Sequence, residues 1–171
     1  GRLEELLKLM EEGGVDYSVI QSIATNPRQN IKVNDFAISL LKVPGIIPFG
    51  SIHPELEDWE KEIERLKEAG IKGIKFHPDY QDFFVDEERM IPVYRKIFSM
   101  DMAILFHSGV DIGLPDPVHC TPERVNRIIG EFEGKKVIFA HMGAHLLWDD
   151  VEKYMLGKDF YIDTSFSVDE M

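Results

Sequence analysis

Apolar positions along the chain alternate between two periods. Residues 3–12, LEELLKLMEE, place Leu at 3, 6 and 7 with charges between them, the spacing of an amphipathic helix. Gly13 and Gly14 end that helix. VDYSVIQSIAT then reads as a strand, with a loop at Asn26-Pro27. VNDFAISLLK predicts a second helix capped by Asn34. VPGIIPFGSI is a short apolar strand, and LEDWEKEIERLKEAG is a helix with apolar positions at 56, 59, 63, 66 and 69, closing at Gly70.

The alternation continues. IKGIKFHP, MAILFHSG, KKVIFAHMG and DFYIDTS read as strands. Between them, DEERMIPVYRKIFSM, TPERVNRIIGEFEG and HLLWDDVEKYML read as helices. Pro92 marks a kink or a first turn. Thr121 and Pro122 supply a cap and a first helical residue. The longest connection is the loop over residues 110–120, a candidate lid or dimer contact. Six strands and six helices alternate strictly, and the short apolar strands predict a parallel sheet covered by helices. An open doubly wound sheet and a (β/α)8 barrel both fit. A complete barrel needs eight strands and about 250 residues. On the barrel reading, the chain supplies strands two to seven as one domain over residues 1–171, truncated at both ends.

Composition narrows the function. With 19 Lys and Arg against 31 Asp and Glu, the net charge of −12 excludes the basic stripe that phosphate binding needs, so no nucleic-acid partner is expected. No apolar run approaches the roughly 20 residues of a membrane span. One cysteine, Cys120, fits a reducing compartment, and a cytoplasmic location is expected. Glycine-rich phosphate loops and a nucleophile elbow are absent from the sequence. A homo-oligomer stays open.

The chemical signal is positional. His53, His77, His107, His119, His141 and His145 all fall at or just after strand ends. In parallel α/β folds that edge builds the site. AILFHSG drives an apolar strand through the core and delivers His107; VIFAHMG does the same for His141. Imidazole there binds a divalent metal or moves protons near neutral pH. Strand alternation puts Lys75 and His77 on one face and Ile74 and Phe76 on the other. An inward Lys75 needs an anion to meet it; an outward one snorkels past the helices. Asp163 ligates a metal, orients His141 or a substrate, or caps a loop. His53 reads as local structure before Pro54. His119 beside Cys120 is a weak Cys/His pair. His145 is placed in the first turn of the last helix, facing substrate or solvent.

GIKFHP, ILFHSG, IFAHMG and YIDTS in that order resemble the amidohydrolase superfamily, specifically its amidohydrolase-2 group of metal-dependent barrel hydrolases and related decarboxylases. The resemblance runs from about residue 3 to 167. It implies an eight-stranded barrel with its site at the C-terminal mouth. It matches His107 to a metal-ligating histidine on the fifth strand. It matches His141 to a sixth-strand histidine that binds metal or holds and deprotonates the catalytic water. Lys75 falls where some relatives carry a carboxylated lysine; followed by FHP, it is expected, with His77, to face substrate instead. The family's first-strand His-x-His pair and eighth-strand Asp have no counterpart in this sequence. The expectation is therefore a hydrolase of a C–N or C–O bond in a small anionic substrate. It would use a divalent metal, zinc by preference, held by His107 and His141. Lys75 and His141 would be catalytic, and Lys75, His77, Asp163 and His145 would contact substrate. The alternatives are a metal-dependent non-oxidative decarboxylase and a non-catalytic truncated barrel.

Overall fold

A computed structural model describes residues 2–167. Six helices and six strands alternate as the periodicities predict: α1 Leu3–Gly13, β1 Ser18–Gln21, α2 Asn30–Ser39, β2 Ile46–Phe49, α3 Trp59–Ala69, β3 Gly73–Phe76, α4 Ile91–Ser99, β4 Ala103–Phe106, α5 Pro122–Ile128, β5 Val137–Phe139, α6 Trp148–Tyr154 and β6 Tyr161–Ile162. Every pairing is parallel. β1 pairs with β2, and β3 to β6 pair in sequence order. A bridge between Gly50 and Ile74 joins the two groups, with Lys75 N–H donating to Gly50 O at 2.8 Å. A doubly wound sheet reverses its order at a switch point. Here the order never reverses, so the architecture is barrel-type. No helix among the described residues is long and apolar enough to cross a membrane.

Alternation decides which side chains build the core. Ile74, Phe76, Ile104, Phe106, Val137 and Phe139 point to the helix layer and are buried. Phe76, Phe106 and Phe139 stack across three strands at 5.6 and 5.5 Å, with Tyr94 and Phe132 packed edgewise or tilted against Phe106. The opposite face carries Lys75 and Leu105. Gly73 is required there, because a Cβ would lie 2.4 Å from the Phe49 ring.

Two local expectations change. Asn34 does not cap α2, which starts four residues earlier behind a turn capped by Asn26. It is buried instead: its amide donates to Ser51 O at 2.9 Å and Glu62 Oε1 at 2.6 Å, and its carbonyl accepts from Ser51 N–H. A polar side chain under a helix satisfies tertiary partners before local ones. His145 lies outside α6. It forms a parallel bridge with Gly109, its N–H donating to Ser108 O and its carbonyl accepting from Val110 N–H. Gly109 has φ +86° and leaves no room for a Cβ, which would fall 2.1 Å from His145 N. That glycine lets the two chain segments touch. Pro92 sits in the first turn of α4 and Thr121 caps α5, both as expected.

Candidate functional site

The carboxyl ends of β3, β4 and β5 deliver Lys75, His77, His107 and His141 to one cavity of about 390 Å3. His145, Asp111, Tyr80 and Gln21 supply the rest of its polar lining. Lys75 thus faces inward, and the outward, snorkelling alternative is excluded. Its ammonium has no ion-pair partner among the described residues. Burial pushes its pKa down to about 8, with Asp163 opposing the shift. The ammonium stays largely charged at pH 7 and is available to an anion.

His77 and His107 stack in parallel, ring centroids 4.0 Å apart, and Tyr80 stacks on the far side of His77 at 3.8 Å. Burial, reinforced for His77 by Lys75, moves His77 down to about 4 and His107 lower still. Both rings are neutral at pH 7, the state a metal ligand requires. His77 Nδ1 accepts a long bond of 3.4 Å from Tyr80 N–H, so its Nε2 carries the proton and faces Asp111 Oδ2 at 3.3 Å.

Asp111 is the residue the sequence reading missed. It stands four positions after His107 in HSGVD, at the start of the long loop, and nothing in local periodicity shows that this segment turns back to the mouth. Ligand atoms of His77, His107 and Asp111 lie within 4.8 Å of one another, the only such group of three among the described residues. A divalent ion fits this donor set on one further observation. His107 Nε2 is buried with no hydrogen-bond partner among the described residues, and an orphaned buried nitrogen has a missing partner to account for. His77 fits less directly, because coordination through Nε2 first requires its proton to move.

His141 stands beside this group. Its Nε2 lies 3.1 Å from His107 Nδ1. Its Nδ1 meets Ser165 O at 3.0 Å and Ser165 Oγ at 2.9 Å. Burial lowers its pKa, so it too is neutral at pH 7. Backbone φ at His141, Met142 and Gly143 is +62°, +57° and +96°. This left-handed stretch costs about 1–2 kcal/mol for each residue with a Cβ. It is held by His141 N–H donating to Asp163 Oδ1, Met142 N–H donating to Asp163 O, and the Trp148 indole donating to His141 O. Asp163 itself does not line the cavity, so a direct substrate contact is not what the structure shows for it. Partial burial opposes its ionisation, but hydrogen bonds from Ser165 and from His141 N–H hold it below the usual carboxylate range.

The remaining histidines stay outside. His53 Nδ1 accepts from Glu55 N–H, a local contact as expected, while its own N–H donates to Asn30 of α2. His119 turns its Nδ1 to Pro78 O. Cys120 is fully buried beside Ser108, its thiol pushed up to about 12 by burial, so no Cys/His pair forms.

Comparison with known proteins agrees with this fold. The chain superimposes on 5-carboxyvanillate decarboxylase from Sphingomonas paucimobilis with a TM-score of 0.67 at 20% identity, over 94% of this chain and 64% of that one. It superimposes on 4-oxalomesaconate hydratase from Rhodopseudomonas palustris with a TM-score of 0.61 at 17% identity, over 95% and 58%. For 2,6-dihydroxybenzoate decarboxylase from Rhizobium the TM-score is 0.58 at 15% identity, over 96% and 69%. The chain therefore spans somewhat under two thirds of the first of these structures. No curated protein sequence matches it. The amidohydrolase family model matches residues 3–169, nearly the whole length. On its sequence motifs, its strand order and that match, the chain belongs to the amidohydrolase family.

Proposed function

We propose that the site belongs to a metal-dependent hydrolase acting on a C–N or C–O bond of a small anionic substrate. The observation that carries this reading is the pairing, in one cavity, of His107 Nε2 and the Lys75 ammonium, each without a partner among the described residues. His107 and Asp111 would hold the ion, with His77 completing its ligands and His141 left free as the base. Zinc suits imidazole and carboxylate donors. When bound, such an ion polarises a carbonyl and acidifies a water.

The protein's own groups do the rest. Lys75 binds the substrate's carboxylate and draws it from solvent, because an ammonium in a partly apolar cavity has no competing partner among the described residues. His141 accepts the water's proton at Nε2 in exchange for its contact with His107. The imidazolium formed is stabilised by Ser165 O, which its Nδ1 proton already faces. His77 and His145 line the cavity where the substrate's oxygens would sit.

A second reading, non-oxidative decarboxylation, uses the same residues on an aromatic acid. Two of the structurally similar proteins are named as decarboxylases. The experiment that separates them is a substrate panel of small carboxylated amides and esters against hydroxylated aromatic acids, run with added Zn2+. Hydrolysis should proceed and fall at least a hundredfold in His107→Ala. Release of carbon dioxide without hydrolysis would replace this reading with the second. Turnover unchanged by His107→Ala would reject both.

A further inference from the structure

Hydrogen-bond direction at His141 is fixed by its partners. Ser165 O is a carbonyl and can only accept, so His141 Nδ1 carries a proton. The Ser165 hydroxyl agrees, because it donates its own proton to Asp163 Oδ1 and can only accept from His141. A neutral His141 then has a bare Nε2. The nitrogen 3.1 Å away, His107 Nδ1, must donate to it. His107 is therefore left with a bare Nε2, the same buried atom that has no partner among the described residues.

We infer that Asp163 and Ser165 are positioning residues that set the tautomers of His141 and His107 and so aim the His107 Nε2 lone pair into the site. Two features make the arrangement rigid. Asp163 Oδ1 accepts from three donors at once, the N–H groups of His141 and Ser165 and the Ser165 hydroxyl. The left-handed turn at His141 and Met142 is unfavourable by itself and is tied down by both the carboxylate and the carbonyl of Asp163. Outer partners of metal-binding histidines commonly act in this way. Here the device reaches through a second histidine. The inference rests on reading His107 as a metal ligand.

It has a spectroscopic test in the metal-free protein. In histidine-labelled wild type near neutral pH, 15N NMR should show both His107 and His141 protonated at Nδ1 and bare at Nε2. Asp163→Ala frees the Ser165 hydroxyl to donate to His141 Nδ1. Both rings should then acquire a population protonated at Nε2, and Zn2+ affinity, titrated against a chelator, should fall about 10- to 100-fold. Adding Ser165→Ala removes that donor and leaves only the backbone carbonyl, so the double variant should recover the wild-type tautomers and part of the affinity. A merely structural role for Asp163 predicts no recovery. A wild-type His107 protonated at Nε2, or a double variant no better than the single one, overturns the inference. Should Asp163→Ala fail to fold, the wild-type spectrum alone decides. Wild-type tautomers as stated without Zn2+ binding would sink the metal reading and leave the positioning intact; Zn2+ binding with the opposite tautomers would do the reverse.

Discussion

Strands β3, β4 and β5 carry two faces made from alternating residues of the same short segments, and the two obey different rules. Toward the helices they present Phe76, Phe106 and Phe139, stacked and fully buried. Toward the cavity, at and just beyond their carboxyl ends, they present Lys75, His77, His107 and His141. The first face is satisfied within itself: each ring has ring neighbours and no polar atom. The second is unsatisfied: a cation without an ion pair and an imidazole nitrogen without a partner, among the described residues. A fold retains such deficits where something other than its own stability benefits. Stability should therefore reside on the helix face, and function on the cavity face at some expense to stability.

The largest effect expected from that division is on the helix face. Phe106 touches the rings of Phe76, Tyr94, Phe132 and Phe139. Phe106→Ala should cost about 3–5 kcal/mol, measured by urea unfolding. A loss below about 1 kcal/mol would mean that the stack is not where stability is concentrated.

The next effect should have the opposite sign. Lys75 has its pKa pushed down to about 8 by burial, so its charged form is disfavoured in the folded state. Lys75→Met removes that charge and keeps the stem's volume. It should stabilise the protein near pH 7 by about 1–3 kcal/mol while abolishing affinity for an anionic substrate. The sign follows from proton counts. Between about pH 8 and the ordinary lysine value of 10.5, the unfolded chain holds a proton that the folded chain has released. Wild-type stability therefore rises with pH across that window. The variant lacks this rise, and the two unfolding curves should converge toward the alkaline side. Parallel curves throughout would show that Lys75 already has a partner.

These two faces were not equally legible in the sequence. Alternation in GIKFHP was enough to put Lys75 and His77 on one face and Ile74 and Phe76 on the other, because period two in a strand is set by backbone geometry, but not to say which face turns inward. Placing His107 and His141 at one mouth followed from parallel strands ending on the same side. Asp111, Tyr80 and the true position of His145 were hidden, since each depends on how a loop returns across the sheet. Asn34 was misread for a related reason: an asparagine near a helix start looks like a cap until a buried backbone claims it. Asp163 was visible as a candidate. Its use through His141 was one of several readings, and only the left-handed turn selects it.

Cys120 tests where the boundary between the two faces runs, and its effect should be the smallest. By sequence it lies among site residues, next to His119 and at the end of the loop that carries Asp111. By packing it belongs to the helix-side core, fully buried with Tyr94 and Val125 in the same apolar cluster. Burial also pushes its thiol up to about 12, so thiolate is scarce at neutral pH. Ser108 bonds to the backbone carbonyl of Cys120 independently of the sulfur. Cys120→Ala should therefore leave substrate turnover unchanged and cost about 1 kcal/mol of stability, the transfer free energy of one small buried group. Iodoacetamide should label wild type only when denaturant is added. Rapid labelling of the folded protein with loss of turnover would move Cys120 to the cavity side and redraw the division between the two faces.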